Sequence, residues 1–199
     1  MDTKVLLADD HAMLRSSVKT ICASNGVHDL DEVGSCRNLL SQLHKQKYTH
    51  LVLDLLLSDG DAMEILDVIR TEYPGLEILV FSSQYPALYR GFLRKKYGCY
   101  FISKSESEMD SIRSLLAFLK GKMSVNTTLS DTQRNPFAQL SSQEGEITHY
   151  LLMGCSTNSI AEKCEITQEH VRSVIRHILH KTGAKDRDTL KVMANRLYQ

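Results

Sequence analysis

His50-Leu51-Val52-Leu53-Asp54-Leu55-Leu56-Leu57, followed at once by Ser58-Asp59-Gly60-Asp61, is the most informative stretch of the chain. A short apolar run closed by a polar turn reads as a strand buried on both faces of a parallel sheet. Asp54 is the one charge inside the run. A carboxylate in an apolar strand is costly to bury unless it has partners or sits at the strand's end. The turn that follows places it at the carboxyl end, where open α/β sheets bind ligands. Asp54 is therefore read as a reactive carboxylate that the rest of the chain tunes or reports.

Apolar strands alternate with amphipathic segments on both sides of this run. Strands are expected at Val5–Ala8, His28–Gly34, Leu51–Asp54, Glu77–Phe81 and Tyr100–Ser103. Helices are expected at Ala12–Ala23, Arg37–Lys45, Ala62–Glu72, Ala87–Lys96 and Met109–Lys120. Strand–helix pairs with short connections indicate an α/β doubly wound, five-stranded parallel sheet. From Lys122 to Pro136 the chain turns polar and loses periodicity, as a linker does. Strand signals then stop. Ser141 or Ser142, Ser156 and Thr167 are placed to cap successive helices, and Gly154 and Gly183 to end them. Asp186–Leu197 makes the fourth helix of a small all-α module.

Composition sets bounds on function. Lys+Arg and Asp+Glu balance at 24 each over 199 residues, so net charge advertises no polyanionic partner. The charge is unevenly spread, however. Between Thr167 and Lys185 stand Arg172, Arg176, Lys181 and Lys185 against Glu169 alone. Five cysteines without a CxxC pair argue against a disulfide framework or a structural zinc site. No apolar run approaches the roughly 18 residues that span a bilayer. The early charges of Lys4, Asp9 and Asp10 do not suit a signal peptide. A soluble, cytoplasmic protein is expected.

Asp9 and Asp10 fall at the end of the first strand and Asp54 at the end of the third, so a parallel sheet brings all of them to one edge. Such carboxylates repel one another unless a hard divalent cation neutralises them, and oxygen ligands of this kind suit Mg²⁺. Ser82 ends the fourth strand with a hydroxyl, and Lys104 follows the fifth with an ammonium. Together these groups are equipped to accept and hold a phosphoryl group. An Asp-x-Asp pair, Asp59 and Asp61, raises a remote alternative, a Mg²⁺-dependent phosphatase, but that motif should end a strand and these two lie in a turn.

Residues 1 to 122, with strand-end Asp9-Asp10, central Asp54, Ser82 and Lys104 in order, resemble a response-regulator receiver domain, which has the flavodoxin-like fold. The resemblance implies that Asp54 is the phosphoacceptor. It implies that Asp10, Asp54 and the backbone carbonyl of Leu56 bind Mg²⁺, with Asp9 helping through water. Ser82 and Lys104 would hold the phosphoryl oxygens, and Phe101 occupies the place of the switch aromatic. The sequence departs from the family after the aspartate. Leu57, Ser58 and Ala62 stand where Met, Pro and Gly are usual, and Tyr100 stands where Gly usually precedes the aromatic.

After a linker at 123–136, residues 137–199 resemble a LuxR-type helix-turn-helix domain. The resemblance rests on Leu140-Ser141-Ser142-Gln143-Glu144, Gly154-Cys155-Ser156-Thr157-Asn158-Ser159-Ile160-Ala161, Ile166-Thr167-Gln168-Glu169-His170-Val171-Arg172 and Ile178-Leu179-His180-Lys181. The sequence departs where Ser159 replaces the usual Glu and where His170-Val171-Arg172-Ser173-Val174 stands in place of Thr-Val-Lys-x-His. The whole chain then looks like a response regulator of the NarL/FixJ class. Its expected partners are double-stranded DNA, a cognate histidine kinase and a second copy of itself in a homodimer. Arg172, Ser173 and Arg176 share one face of the expected recognition helix, where they can reach the major groove. Thr167, Gln168, His170, Lys181 and Lys185 are placed to bond phosphates. Such a protein is no enzyme beyond its own phosphorylation and dephosphorylation. An alternative keeps DNA binding and makes the receiver a fixed dimerisation platform.

Overall fold

A computed structural model describes residues 3–123 and 135–196. Most of the linker expected at 123–136, and Leu197 of the last expected helix, lie outside the described residues. By its internal contacts the chain divides into two units, Met1–Ser83 with Tyr97–Ser124, and Gln84–Lys96 with Val125–Gln199.

The first unit is built on β1 (Val5–Ala8), β2 (Leu30–Val33), β3 (His50–Leu53), β6 (Glu77–Ser82) and β7 (Tyr100–Ser103), all parallel. Their order is β2-β1-β3-β6-β7, so β1 and β3 are central neighbours. Every residue of β1 is buried, as are Leu51, Val52 and Leu53 of β3. That explains why these strands read as continuous apolar runs rather than alternating ones. Side chains alternate between faces. Val5, Leu7, Val52, Leu79 and Ile102 pack with Val18 and Cys22 of α1 (Ala12–Ser24) and with Leu115, Phe118 and Leu119 of α5 (Glu108–Leu119). Helices α2 (Cys36–Lys45) and α3 (Met63–Glu72) bury Leu39 and Leu43, and Met63, Leu66 and Ile69. One feature was invisible to strand–helix patterning. Leu56–Leu57 (β4) and Gly60–Asp61 (β5) form an antiparallel hairpin just after Asp54.

The second unit is helical. A 3₁₀ turn (Pro136–Gln139) leads into α6 (Ser142–Leu152), α7 (Thr157–Lys163), α8 (Gln168–Thr182) and α9 (Arg187–Ala194). The expected caps are in place. Ser141 and Glu144 form a reciprocal capping box, Ser156 and Thr167 accept the amides of Ser159 and His170, and Gly183 ends α8 at φ 71°. Ile147, Ile160, Val171, Ile178, Leu190 and Ala194 are completely buried. The end of the last expected helix is therefore split, with Leu190 in the core and Val192 exposed at 59%.

Helix α4 (Pro86–Tyr97) matches the helix expected at Ala87–Lys96, yet its contacts group it with this helical unit. Its apolar residues Leu88, Tyr89, Phe92 and Leu93 are buried. Its polar groups also find partners there. Tyr85 donates its hydroxyl to the Leu152 carbonyl at 3.1 Å, and the Asn135 amide donates to the Ala87 carbonyl at 2.7 Å. Lys96 pairs with Glu146 at 2.7 Å. Tyr85 itself sits at φ 48°, unusual for a side-chain-bearing residue, and its N–H donates to Asn195 at 3.2 Å. Among the described residues no helix is long and apolar enough to cross a membrane.

Candidate functional site

The strand register places the acidic residues. Ala8 pairs with Leu53, so Asp9 and Asp54 each follow the last residue of adjacent parallel strands. The Asp54 N–H still donates to the Ala8 carbonyl at 2.8 Å, and the Asp9 N–H to the Val33 carbonyl at 3.1 Å. The ladder thus fixes both Cα positions at the carboxyl edge, one residue beyond the strand limits. Both carboxylates are buried, with Asp9 1% and Asp54 6% exposed. Asp10 is exposed.

Lys104 reaches this edge from β7. Its N–H donates to the Ser82 carbonyl at 3.0 Å, which ties the ends of β6 and β7 together. Its Nζ lies 2.6 Å from Asp9 Oδ2 and 2.5 Å from Asp54 Oδ2, with the lysine side chain only 11% exposed. Ser82 is buried, and its hydroxyl favours the charged form of Asp54. Burial is the largest influence on Asp54 and raises its pKa. Lys104 and Ser82 oppose that rise, and the Asp9 charge adds to it. For Lys104, burial favours the neutral amine, but the bonds to Asp54 and Asp9 together outweigh it and raise its pKa.

His11, the residue before α1, joins this cluster. Its ring is 69% exposed, yet Nδ1 lies 2.6 Å from an Asp10 oxygen and 3.2 Å from an Asp9 oxygen. Asp9, Asp10, His11 and Asp54 offer ligand atoms all within 4.8 Å of one another. They are the one such grouping among the described residues. The Asp9 carboxylate accepts the His11 N–H rather than capping α1 from within the helix. The donor set, mostly carboxylate oxygen, suits a hard divalent cation. Lys104 bridges two of these carboxylates.

Phe101 is buried in β7 opposite Val80. Leu56 is half-buried in β4, opposite Asp61. Asp59 does not end a strand, and both its carboxylate oxygens accept backbone N–H groups of α2. That use is structural and leaves the Asp59-x-Asp61 pair without the arrangement a phosphatase nucleophile needs.

In the second unit, α7 and α8 are joined through Cys164–Thr167, with Glu165 at φ 55°. Val171, Val174 and Ile178 bury one stripe of α8. Thr167, Gln168, His170, Arg172 and Arg176 are exposed, Ser173 is half-buried, and Lys185 is exposed beyond the helix. These residues give α8 an accessible polar and basic face. Lys181 is exposed, and its ammonium lies 2.7 Å from Glu144 of the capping box. Glu144 is drawn below the usual carboxylate range. Its partial burial works the other way, and the bonds from Lys181 and the Ser141 N–H prevail. Sequence reading did not foresee this pair, because its members are far apart in the chain.

Residues 5–116 match the family model of the response regulator receiver domain. Residues 138–194 match that of bacterial regulatory proteins of the luxR family. The response regulator protein VraR of Staphylococcus saprophyticus is 25% identical, covering 98% of this chain and 97% of its own. VraR of Staphylococcus aureus is also 25% identical with the same coverage. Among solved structures, RcsB of Salmonella enterica serovar Typhimurium, bound to the promoter rprA with the phosphomimetic BeF3⁻, superposes with a TM-score of 0.79. It is 20% identical and covers 99% of this chain and 100% of its own. With the acidic edge of the sheet and the basic face of a helix-turn-helix both in place, the chain belongs to the response regulators, as a DNA-binding transcription regulator of a two-component system with a receiver and a LuxR-type domain.

Proposed function

We propose that Asp54 is the phosphoacceptor and that its phosphorylation by a histidine kinase controls DNA binding by the C-terminal module. The observation that carries this reading is the bridge from Lys104 to Asp9 and Asp54 at the carboxyl edge of the sheet. An Asp54 oxygen would attack the phosphorus of a kinase phosphohistidine, forming an acyl phosphate as the P–N bond breaks and the imidazole takes up a proton. Lys104 and the Ser82 hydroxyl stand where they can hold phosphoryl oxygens, and Phe101 is the candidate aromatic that reports the change.

Asp10, Asp54 and the Leu56 carbonyl would hold Mg²⁺, with Asp9 assisting through water. Mg²⁺ would offset charge on the phosphoryl oxygens. Asp9, Asp10 and Asp54 set three negative charges against the single positive charge of Lys104, so a divalent cation matches the excess. The covalent chemistry is confined to the protein itself, which gains and loses a phosphoryl group. On this reading 1–122 is the receiver, 123–136 the linker and 137–199 the DNA-binding domain. The protein acts in the cytoplasm as a homodimer. RcsB, of the same fold, has been seen bound to promoter DNA. Thr167, Gln168, His170, Lys181 and Lys185 would contact phosphates, while Arg172, Ser173 and Arg176 would face base edges.

The test is phosphate-affinity electrophoresis after incubation with acetyl phosphate and Mg²⁺. A retarded band is expected for the wild type and none for Asp54→Ala. Identical unshifted bands would refute the assignment. Binding to promoter DNA should strengthen with phosphodonor in the wild type and not in Asp54→Ala, whereas equal affinity would favour a phosphorylation-independent platform.

A further inference from the structure

Ser58 and Ala62 replace the proline and glycine that usually shape the turn after the phosphoacceptor, yet the turn is tightly made. Leu57 pairs with Gly60, which leaves Ser58 and Asp59 as the two residues of a hairpin loop. Both reach across to the connection between β2 and α2. Ser58 donates its N–H at 3.2 Å and its hydroxyl at 2.8 Å to the Gly34 carbonyl. Asp59 accepts the Cys36 N–H at 2.6 Å and the Arg37 N–H at 3.0 Å, one on each carboxylate oxygen. Those amides belong to the first turn of α2, where backbone N–H groups lack helical partners and the helix favours a negative charge. The two bonds, Arg37 first, hold the Asp59 carboxyl below the usual range.

A proline stiffens such a turn by fixing one backbone angle. Here the stiffness comes from side chains that bind a neighbouring element 22 and 23 residues away in sequence. The turn continues directly from β4, which carries Leu56. We propose that Asp59 is a positioning residue for the acidic pocket, its carboxylate seated on the start of α2 so that the turn presents the Leu56 carbonyl to a divalent cation. The proposal rests on the reading of Asp9, Asp10 and Asp54 as a Mg²⁺ site. Asp59 touches neither cation nor phosphoryl group; it acts through the backbone of the turn. Outer-shell partners of metal ligands commonly affect affinity tenfold or more.

The experiment is calorimetric titration of the full chain with Mg²⁺ alone, for the wild type, Asp59→Asn, Asp59→Ala and Tyr48→Phe. The Tyr48→Phe control loses a 2.7 Å bond to Asp31 in the same unit, ahead of β3 and so at the opposite end of that strand from Asp54. Asp59→Ala should weaken Mg²⁺ binding roughly tenfold, Asp59→Asn by less because it keeps one acceptor, and Tyr48→Phe not at all. The Mg²⁺ concentration that half-saturates phosphorylation by acetyl phosphate should shift in parallel, while the rate at saturating Mg²⁺ stays within about twofold of wild type. Should Asp59→Ala fail to fold, Asp59→Asn carries the test. Wild-type affinity in the Asp59 variants, or an equal loss in Tyr48→Phe, would overturn the proposal. A wild type that takes up no phosphoryl group would overturn the role of Asp54, while the Mg²⁺ affinities would still decide that of Asp59.

Discussion

Gly145→Ala tests whether α4 packs on α6 within the helical unit. Gly145 lies buried in α6, and in an isolated helix replacing it with alanine stabilises by about 1 kcal/mol. The packing predicts the opposite sign. A Cβ at Gly145 would collide with Phe92 Cδ2 and would lie 2.8 Å from Cγ and 3.2 Å from Cβ. Turning the ring about χ1 cannot clear all of these, because the nearest atoms run back to the Phe92 Cβ. Phe92 is itself buried, so the ring has no solvent to retreat into. Overpacking of a well-filled core costs about 1–3 kcal/mol. Set against the helical gain, Gly145→Ala should destabilise the unit by up to about 2 kcal/mol. Peptide-resolved hydrogen exchange through a urea series reads α6 and α8 separately from the sheet. In a Phe92→Ala background the clash is gone, and Gly145→Ala should become stabilising. This reversal is a coupling that only contacting residues show. Stabilisation by Gly145→Ala in the wild-type background would refute the packing of α4 on α6.

The same unit holds a buried hydrogen bond between the Tyr89 hydroxyl and His149 Nδ1 at 2.8 Å, and Tyr89→Phe should cost about 0.5–1.5 kcal/mol by removing it. Unchanged hydrogen exchange of α6 in that variant would show that the bond contributes nothing. In the sheet unit, Lys104→Met strips two buried carboxylates of their ammonium and should destabilise by about 3–5 kcal/mol in urea unfolding, with Mg²⁺ restoring part of the loss. Asp54→Asn should act in the opposite direction. The Asp54 pKa is raised on folding, so its contribution is favourable below the unfolded pKa and is lost as pH rises through the folded value. At pH 7 the charged Asp54 is a burden, and calorimetry should find the Asn variant melting above wild type, with the gap closing as pH falls toward about 4. A variant that melts at or below wild type at pH 7 would contradict this.

The sheet was legible because burial on both faces of β1 and β3 leaves an unbroken apolar run, and because βα alternation allows few topologies. Helix caps were legible for a related reason. Ser156, Thr167 and Gly183 act within a few residues of themselves, so their chemistry is written locally. The allegiance of α4 was not. Its sequence carries an apolar face, and nothing in a 3.6-residue period tells which surface that face will cover. The contacts that group it with the helical unit, Tyr85 with Leu152 and Lys96 with Glu146, join residues 67 and 50 positions apart.

The candidate site divides along the same line. Asp9, Asp54, Ser82 and Lys104 could be foreseen because each ends or directly follows a strand, and parallel strands end at a common edge. What could not be foreseen is how the pocket is braced. His11 joins the carboxylates because it follows them in the chain, but the direction of its ring depends on where Asp9 and Asp10 are held. Ser58 and Ala62 read as departures when compared with a proline and a glycine in the same places. The substitution is compensated by bonds to Gly34, Cys36 and Arg37, and those bonds exist only because β2 lies beside β1 and β3 on the other side of β1. A turn without proline can therefore be as well determined as one with it, provided that the neighbouring helix begins where the turn's carboxylate can reach its first amides.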